Sequence, residues 1–138
     1  MVDLIGAAGN FVLAYDKKDW NALKTLLHSE ITYSEHATER NLEGPDAVVE
    51  LCQVWGNAFP DSIGKIGRAL GSGDHVTLEL SWQGTHTGAL PTPSGPIAPT
   101  GKKVHLPAAM VLTFEGERIR SVRHYFNLLT LLRQIGAA

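Results

Sequence analysis

Residues 76–83 read Val-Thr-Leu-Glu-Leu-Ser-Trp-Gln. Val76, Leu78, Leu80 and Trp82 alternate with Thr77, Glu79, Ser81 and Gln83, the two-residue period of a strand with one buried face. Upstream the period is longer. Leu4, Ile5, Ala8, Phe11, Val12 and Tyr15 recur every three or four residues, as on one face of a helix. Asp19 can cap a second short helix carrying Trp20, Leu23, Leu26 and Leu27. Gly44-Pro45-Asp46 opens a third, whose face is Val48, Leu51, Cys52, Trp55 and Phe59, and Pro60 ends it.

Downstream the two-residue period dominates. Ser62 to Leu70 reads as a weaker strand, and Gly71-Ser72-Gly73-Asp74 as the turn into residues 76–83. Lys102 to Phe114 is a long strand candidate, Glu115-Gly116-Glu117 a hairpin turn, and Arg118 to Asn127 the returning strand. Ile31-Thr32-Tyr33 is a short strand before the third helix, and Leu128 to Ile135 a closing helix or turn. Helices grouped ahead of strands predict an α+β fold. Residues 1–138 read as one domain, a cone-shaped α+β barrel with three N-terminal helices on a curved, mostly antiparallel sheet that encloses a pocket. The loop from Gly88 to Gly101 holds Pro91, Pro93, Pro96 and Pro99, and reads equally as a functional loop and as a stiffened connector.

Composition narrows the function classes. A formal charge of −2 with scattered Lys and Arg gives no electrostatic basis for nucleic-acid binding. No stretch approaches the ~18 apolar residues of a membrane helix, and the N-terminus lacks the basic and apolar regions of a signal peptide. The expectation is a soluble cytoplasmic protein. The lone Cys52 lies on a helix face beside Leu51, which suits a buried, inert thiol. The histidines show no H-x-H or H-x₃-H spacing, so no metal is expected. Neither a phosphate-binding glycine loop nor a G-x-S-x-G elbow is present.

Five segments, in order, resemble one family. Leu42-Glu43-Gly44-Pro45 precedes a helix. Trp82-Gln83-Gly84-Thr85-His86-Thr87-Gly88 resembles W-x-G-T-H-x-G. Pro99-Thr100-Gly101-Lys102-Lys103-Val104 resembles P-T-G-[KR]-x-V. Phe114-Glu115-Gly116-Glu117-Arg118-Ile119 is similar to an F-x-x-G-[KR]-I hairpin with its glycine displaced by one. Tyr125-Phe126-Asn127 through Gly136 resembles Y-x-D-x-x-x-L-L-x-Q-L-G. Together they resemble the SnoaL-like polyketide cyclases of the nuclear-transport-factor-2-like superfamily. That resemblance implies a deep pocket, a homodimer, no cofactor, and an intramolecular aldol closure of an apolar carbonyl compound. The fold also carries hydroxylases, isomerases, epoxide hydrolases and binding proteins. An epoxide hydrolase would need two carboxylates around Arg123, and they are not evident.

The same resemblance puts Asn127 where the family carries its acid–base aspartate. An amide orients an oxygen but moves no proton. Three readings stand: a natural replacement that leaves a binder or another reaction, an engineered loss of the base, or a different residue that takes the proton. His36, near Tyr33 and Glu35, is the candidate for that role, with Glu35 on the opposite face of the strand. Trp55, Phe59, Trp82 and Tyr125, with Tyr33, would wall an apolar guest. Val111 and Thr113 share the parity of Asn127 across the hairpin and are expected on the neighbouring wall. His124 has the opposite parity and is expected to leave the pocket. His105 falls on the Val111 face near the loop end, and His86 reads as a structural hydrogen bond to backbone.

Overall fold

The computed structural model describes residues 3–138. Helix α1 spans Leu4–Asp16, and the Asp3 carboxylate accepts the Gly6 N–H at 2.9 Å to start it. Helix α2 spans Trp20–Thr25, capped by Asp19, which accepts from the Ala22 N–H at 3.1 Å. Helix α3 runs Pro45–Ala58 with proline in its first turn, where its missing N–H leaves no gap. Strand β1 (Leu27–Glu35) and strand β2 (Arg40–Glu43) precede α3, joined by a 3₁₀ turn over His36–Thr38. After α3 come β3 (Ile63–Ser72), β4 (His75–Thr85), β5 (Lys103–Glu115), β6 (Arg118–Phe126) and helix α4 (Leu128–Gln134).

The strands form one sheet in the order β2-β1-β6-β5-β4-β3. All neighbours are antiparallel except β1 and β6, which run parallel. The sheet is mixed and open, with β2 and β3 as its edges, whereas the barrel expectation implies closure. Two other expectations change. The first strand runs nine residues instead of three, because β6 and β2 both pair along it. Strand β2, with no apolar alternation, forms only because the chain folds back on β1.

Helices α1 and α3 supply one side of the core, and the inward face of the sheet supplies the other. Ala8, Phe11, Val12 and Tyr15 of α1 meet Leu51 and Cys52 of α3 and Val76, Leu78, Met110, Leu112 and Val122 of the sheet. A second apolar cluster gathers Ala58, Phe59, Leu90, Val104, Leu106, Leu131 and Ile135. The proline-containing loop belongs to it: Leu90 is buried and pairs with Ile97, while the Gly88 N–H donates to the Ala58 carbonyl. A Cβ on Gly88 would stand 1.9 Å from the Asn57 carbonyl oxygen, so only glycine allows this approach. No helix among the described residues is long and apolar enough to cross a membrane.

Candidate functional site

Between the helices and the sheet lies a cavity of about 80 Å³. Phe11 and Tyr15 reach it from α1, and Leu51, Cys52 and Trp55 from α3. Phe59 and Ser62 follow that helix. Tyr33, Trp82, Leu106, Met110, His124 and Phe126 reach it from the sheet, and Leu131 from α4. The wall is almost wholly apolar, with its polar atoms gathered on a few side chains. Drug-sized ligands fill pockets of roughly 300–1,000 Å³. This cavity therefore suits a compact guest, and a multi-ring one enters only if the aromatic walls move.

His124 is the buried polar centre. The Trp82 Nε1–H donates to His124 Nε2 at 3.0 Å, and His124 Nδ1 lies 3.2 Å from the Tyr33 hydroxyl. An indole N–H only donates, so Nε2 must present its lone pair. The imidazole proton then sits on Nδ1 and is donated to the Tyr33 oxygen. Burial pulls the His124 pKa down to about 3, which keeps the ring neutral. The Tyr33 hydroxyl is raised well above its ordinary value, chiefly by burial. Burial likewise pushes the Cys52 thiol up to about 12. Cys52 is thus buried and protonated, as its helix face suggests.

Tyr15 and Ser62 hold a second polar pair, with their hydroxyls 2.6 Å apart. Burial raises Tyr15, so that phenol also stays neutral. Lys18 braces the pair from outside: its ammonium donates to the Ser62 carbonyl at 2.5 Å and lies 4.2 Å from the Tyr15 ring centre. Behind Trp55 lies Glu35, fully buried. Its carboxylate accepts from Trp55 Nε1 at 2.9 Å, Thr38 Oγ1 at 2.7 Å and Arg40 at 3.2 Å. It fixes the indole edge and does not itself line the cavity.

Tyr33, Trp55, Phe59 and Trp82 stand on the cavity wall. The other expected site residues do not. Asn127 is exposed and begins α4, where its side-chain oxygen accepts the Thr130 N–H at 3.2 Å. The strand has ended by then, so the alternation that would aim residue 127 inward no longer applies. His36 is exposed on the 3₁₀ turn and stacks on Tyr125, with ring centres 4.5 Å apart. Tyr125, 42% exposed, lies with Asn127 on an open surface groove. Val111 and Thr113 lie on the outer face of β5, because Met110 and Leu112 take the core face. His124 pairs with Met110 across β5 and β6 and shares its inward face. His124, expected to leave the pocket, is on the inward face of β6, and Asn127 lies past the end of that strand.

Two residues set aside on sequence grounds, His124 and Glu35, are buried. Their signal is present: His124 alternates with Val122 and Phe126, and Glu35 with Ile31 and Tyr33. His86, as expected, serves structure. It is fully buried, and its Nδ1 accepts the Thr100 backbone N–H at 3.2 Å. Glu35 ends β1 buried, and His36 begins the 3₁₀ turn exposed, so the two form no dyad. Among the described residues no group of three His, Cys, Asp or Glu side chains is placed to hold a metal ion.

The family model described as SnoaL-like polyketide cyclase matches residues 7–135. A search of curated proteins returns no significant match. Among solved structures, a protein of Catenulispora acidiphila with a ketosteroid isomerase-like fold, determined in complex with trimethylamine, is 26% identical. The match covers 96% of this chain and 93% of that one, with a TM-score of 0.81. IdmH of Streptomyces antibioticus, provisionally assigned as a polyketide cyclase, is 17% identical over 98% and 99% of the chains, with a TM-score of 0.83. TsrD of Streptomyces laurentii is 20% identical over the full length of both, also with a TM-score of 0.83.

Proposed function

Since this chain belongs to the SnoaL-like polyketide cyclase family, we propose that it takes an apolar carbonyl compound into the cavity beside Trp55. There it promotes a ring-closing or isomerising step by polarising the carbonyl with neutral hydrogen-bond donors. One observation carries this reading. Every titratable side chain on the wall is held neutral: His124 by a lowered pKa, and Tyr15, Tyr33 and Cys52 by raised ones. Neutral donors in an apolar cavity stabilise the negative charge that grows on a carbonyl oxygen as it becomes enol-like. Asn127 and His36, both outside the cavity, have no part in this step. No cofactor enters it.

The same observation favours a second reading. A wall with no carboxylate base also suits a protein that binds such a compound and hands it on unchanged. A panel of compact apolar keto esters able to cyclise separates the two, with binding read by calorimetry and products by mass spectrometry. Turnover that survives Asn127→Ala and His36→Ala supports the enzyme. Binding with no product anywhere in the panel selects the carrier, and no binding at all sinks both. We carry a homodimer as part of the proposal, and a sedimentation mass of one chain would remove it.

A further inference from the structure

Resting on that reading and deepening it, we infer that the Tyr33 hydroxyl hydrogen is the donor a ligand oxygen takes up, and that Trp82 and His124 are positioning residues that aim it. The inference follows from a count. Trp82, His124 and Tyr33 bring three donor hydrogens to this wall, on Nε1, Nδ1 and the phenol oxygen. Two hydrogen bonds join them, at 3.0 and 3.2 Å. The first spends the indole hydrogen and the second the imidazole hydrogen. The phenol hydrogen has no acceptor among the described residues.

Tyr33 is only 4% exposed, so water at the protein surface does not serve that hydrogen. A buried donor left unmet is costly, and an acceptor brought into the cavity relieves the cost. A carbonyl oxygen is such an acceptor. The direction of the chain follows from Trp82. Because the indole cannot accept, it takes the lone pair of Nε2 and forces Nδ1 to donate, and the Tyr33 oxygen accepts from Nδ1. The phenol hydrogen therefore turns away from His124, and Tyr33 is itself a cavity-lining residue. The same constraint keeps His124 from acting as a base, since its one lone pair is engaged.

Acetophenone and ethylbenzene are a suitable probe pair, alike in shape and differing in one carbonyl oxygen. Binding of each is measured by calorimetry, and the carbonyl stretch of bound acetophenone by infrared difference spectroscopy. The parent should bind acetophenone about tenfold more tightly than ethylbenzene, the worth of one hydrogen bond. Its carbonyl stretch should fall below the value in an apolar solvent. Tyr33→Phe should abolish both the preference and the shift while ethylbenzene still binds, which also reports that the variant is folded. His124→Gln can accept from Trp82 and donate to Tyr33, so it should keep most of the shift. His124→Leu can do neither and should lose it.

Retention of the preference and the shifted stretch in Tyr33→Phe overturns the inference. Equal loss in His124→Gln and His124→Leu overturns the positioning role. If the parent binds both probes equally with an unshifted stretch, the donor assignment fails while the cavity reading survives. If the parent binds neither, the cavity reading fails and takes this inference with it.

Discussion

The Trp82 Nε1–H lies 3.0 Å from His124 Nε2, and that contact decides where the proton of a fully buried imidazole resides. Burial holds that ring neutral, and neutrality has a consequence for the whole fold. The folded-state pKa of His124 is depressed to about 3 from the ordinary 6.5. Between those values the unfolded chain binds a proton that the folded chain refuses, so stability falls as pH is lowered through this window. The contribution is fully present above pH 6.5.

Urea denaturation from pH 7 to pH 4 should therefore show a loss on the order of 3 kcal/mol traceable to this one residue. His124→Gln, which cannot take up a proton, should flatten that part of the profile. Identical acid profiles for parent and variant would sink the assignment.

Asn127 should behave as a helix cap. Asn127→Ala should cost about 1 kcal/mol of stability, by removing the bond to the Thr130 N–H. Asn127→Asp should cost little, since aspartate caps as well and its charge suits a helix N-terminus. Neither change should alter affinity for a cavity ligand. A gain of turnover in Asn127→Asp would restore a catalytic role to this position.

Glu35 has three donors and no exposure, so its removal strands its partners. Glu35→Ala leaves the Trp55 N–H and the Arg40 guanidinium without their acceptor and should cost about 3 kcal/mol. Glu35→Gln keeps an acceptor oxygen and should cost clearly less. The midpoint of chemical denaturation checks both, and equal losses would show that the carboxylate's hydrogen bonds are not what matters there.

Gly64 leaves room for the Trp82 ring. A Cβ there would come within 2.7 Å of Trp82 Cζ3 and 2.8 Å of Val12 Cγ1. Gly64→Ala should cost about 2 kcal/mol through this overpacking and should disturb Trp82 in near-ultraviolet circular dichroism. Gly67→Ala in the same strand meets nothing closer than 3.7 Å and is the control. A near-neutral Gly64→Ala would mean that the indole is not confined as described.

Much of this molecule is local in origin and so legible along the chain. Helical and strand periods are properties of a dozen residues, and α1, α3, β4 and the β5–β6 hairpin follow from them. The Asp19 cap and the proline in the first turn of α3 are equally local. Strand β2 was not legible, because Arg40-Asn41-Leu42-Glu43 becomes a strand only through its pairing with β1. Of the site, Tyr33, Trp55, Phe59 and Trp82 could be picked out as bulky residues on apolar faces.

His124 and Asn127 mark the boundary between the two kinds of knowledge. By itself the sequence determined the type and order of most elements, and the alternation that sets Val122, His124 and Phe126 on one face of β6. Alternation separates two faces but does not say which of them is covered. Helices α1 and α3, more than sixty residues away in the chain, lie on the Val122–His124–Phe126 side of β6, and only that packing made it the interior. Desolvation by those helices turned His124 into a neutral, directed group. The end of the strand at Phe126 left Asn127 outside, as the cap of the helix that follows.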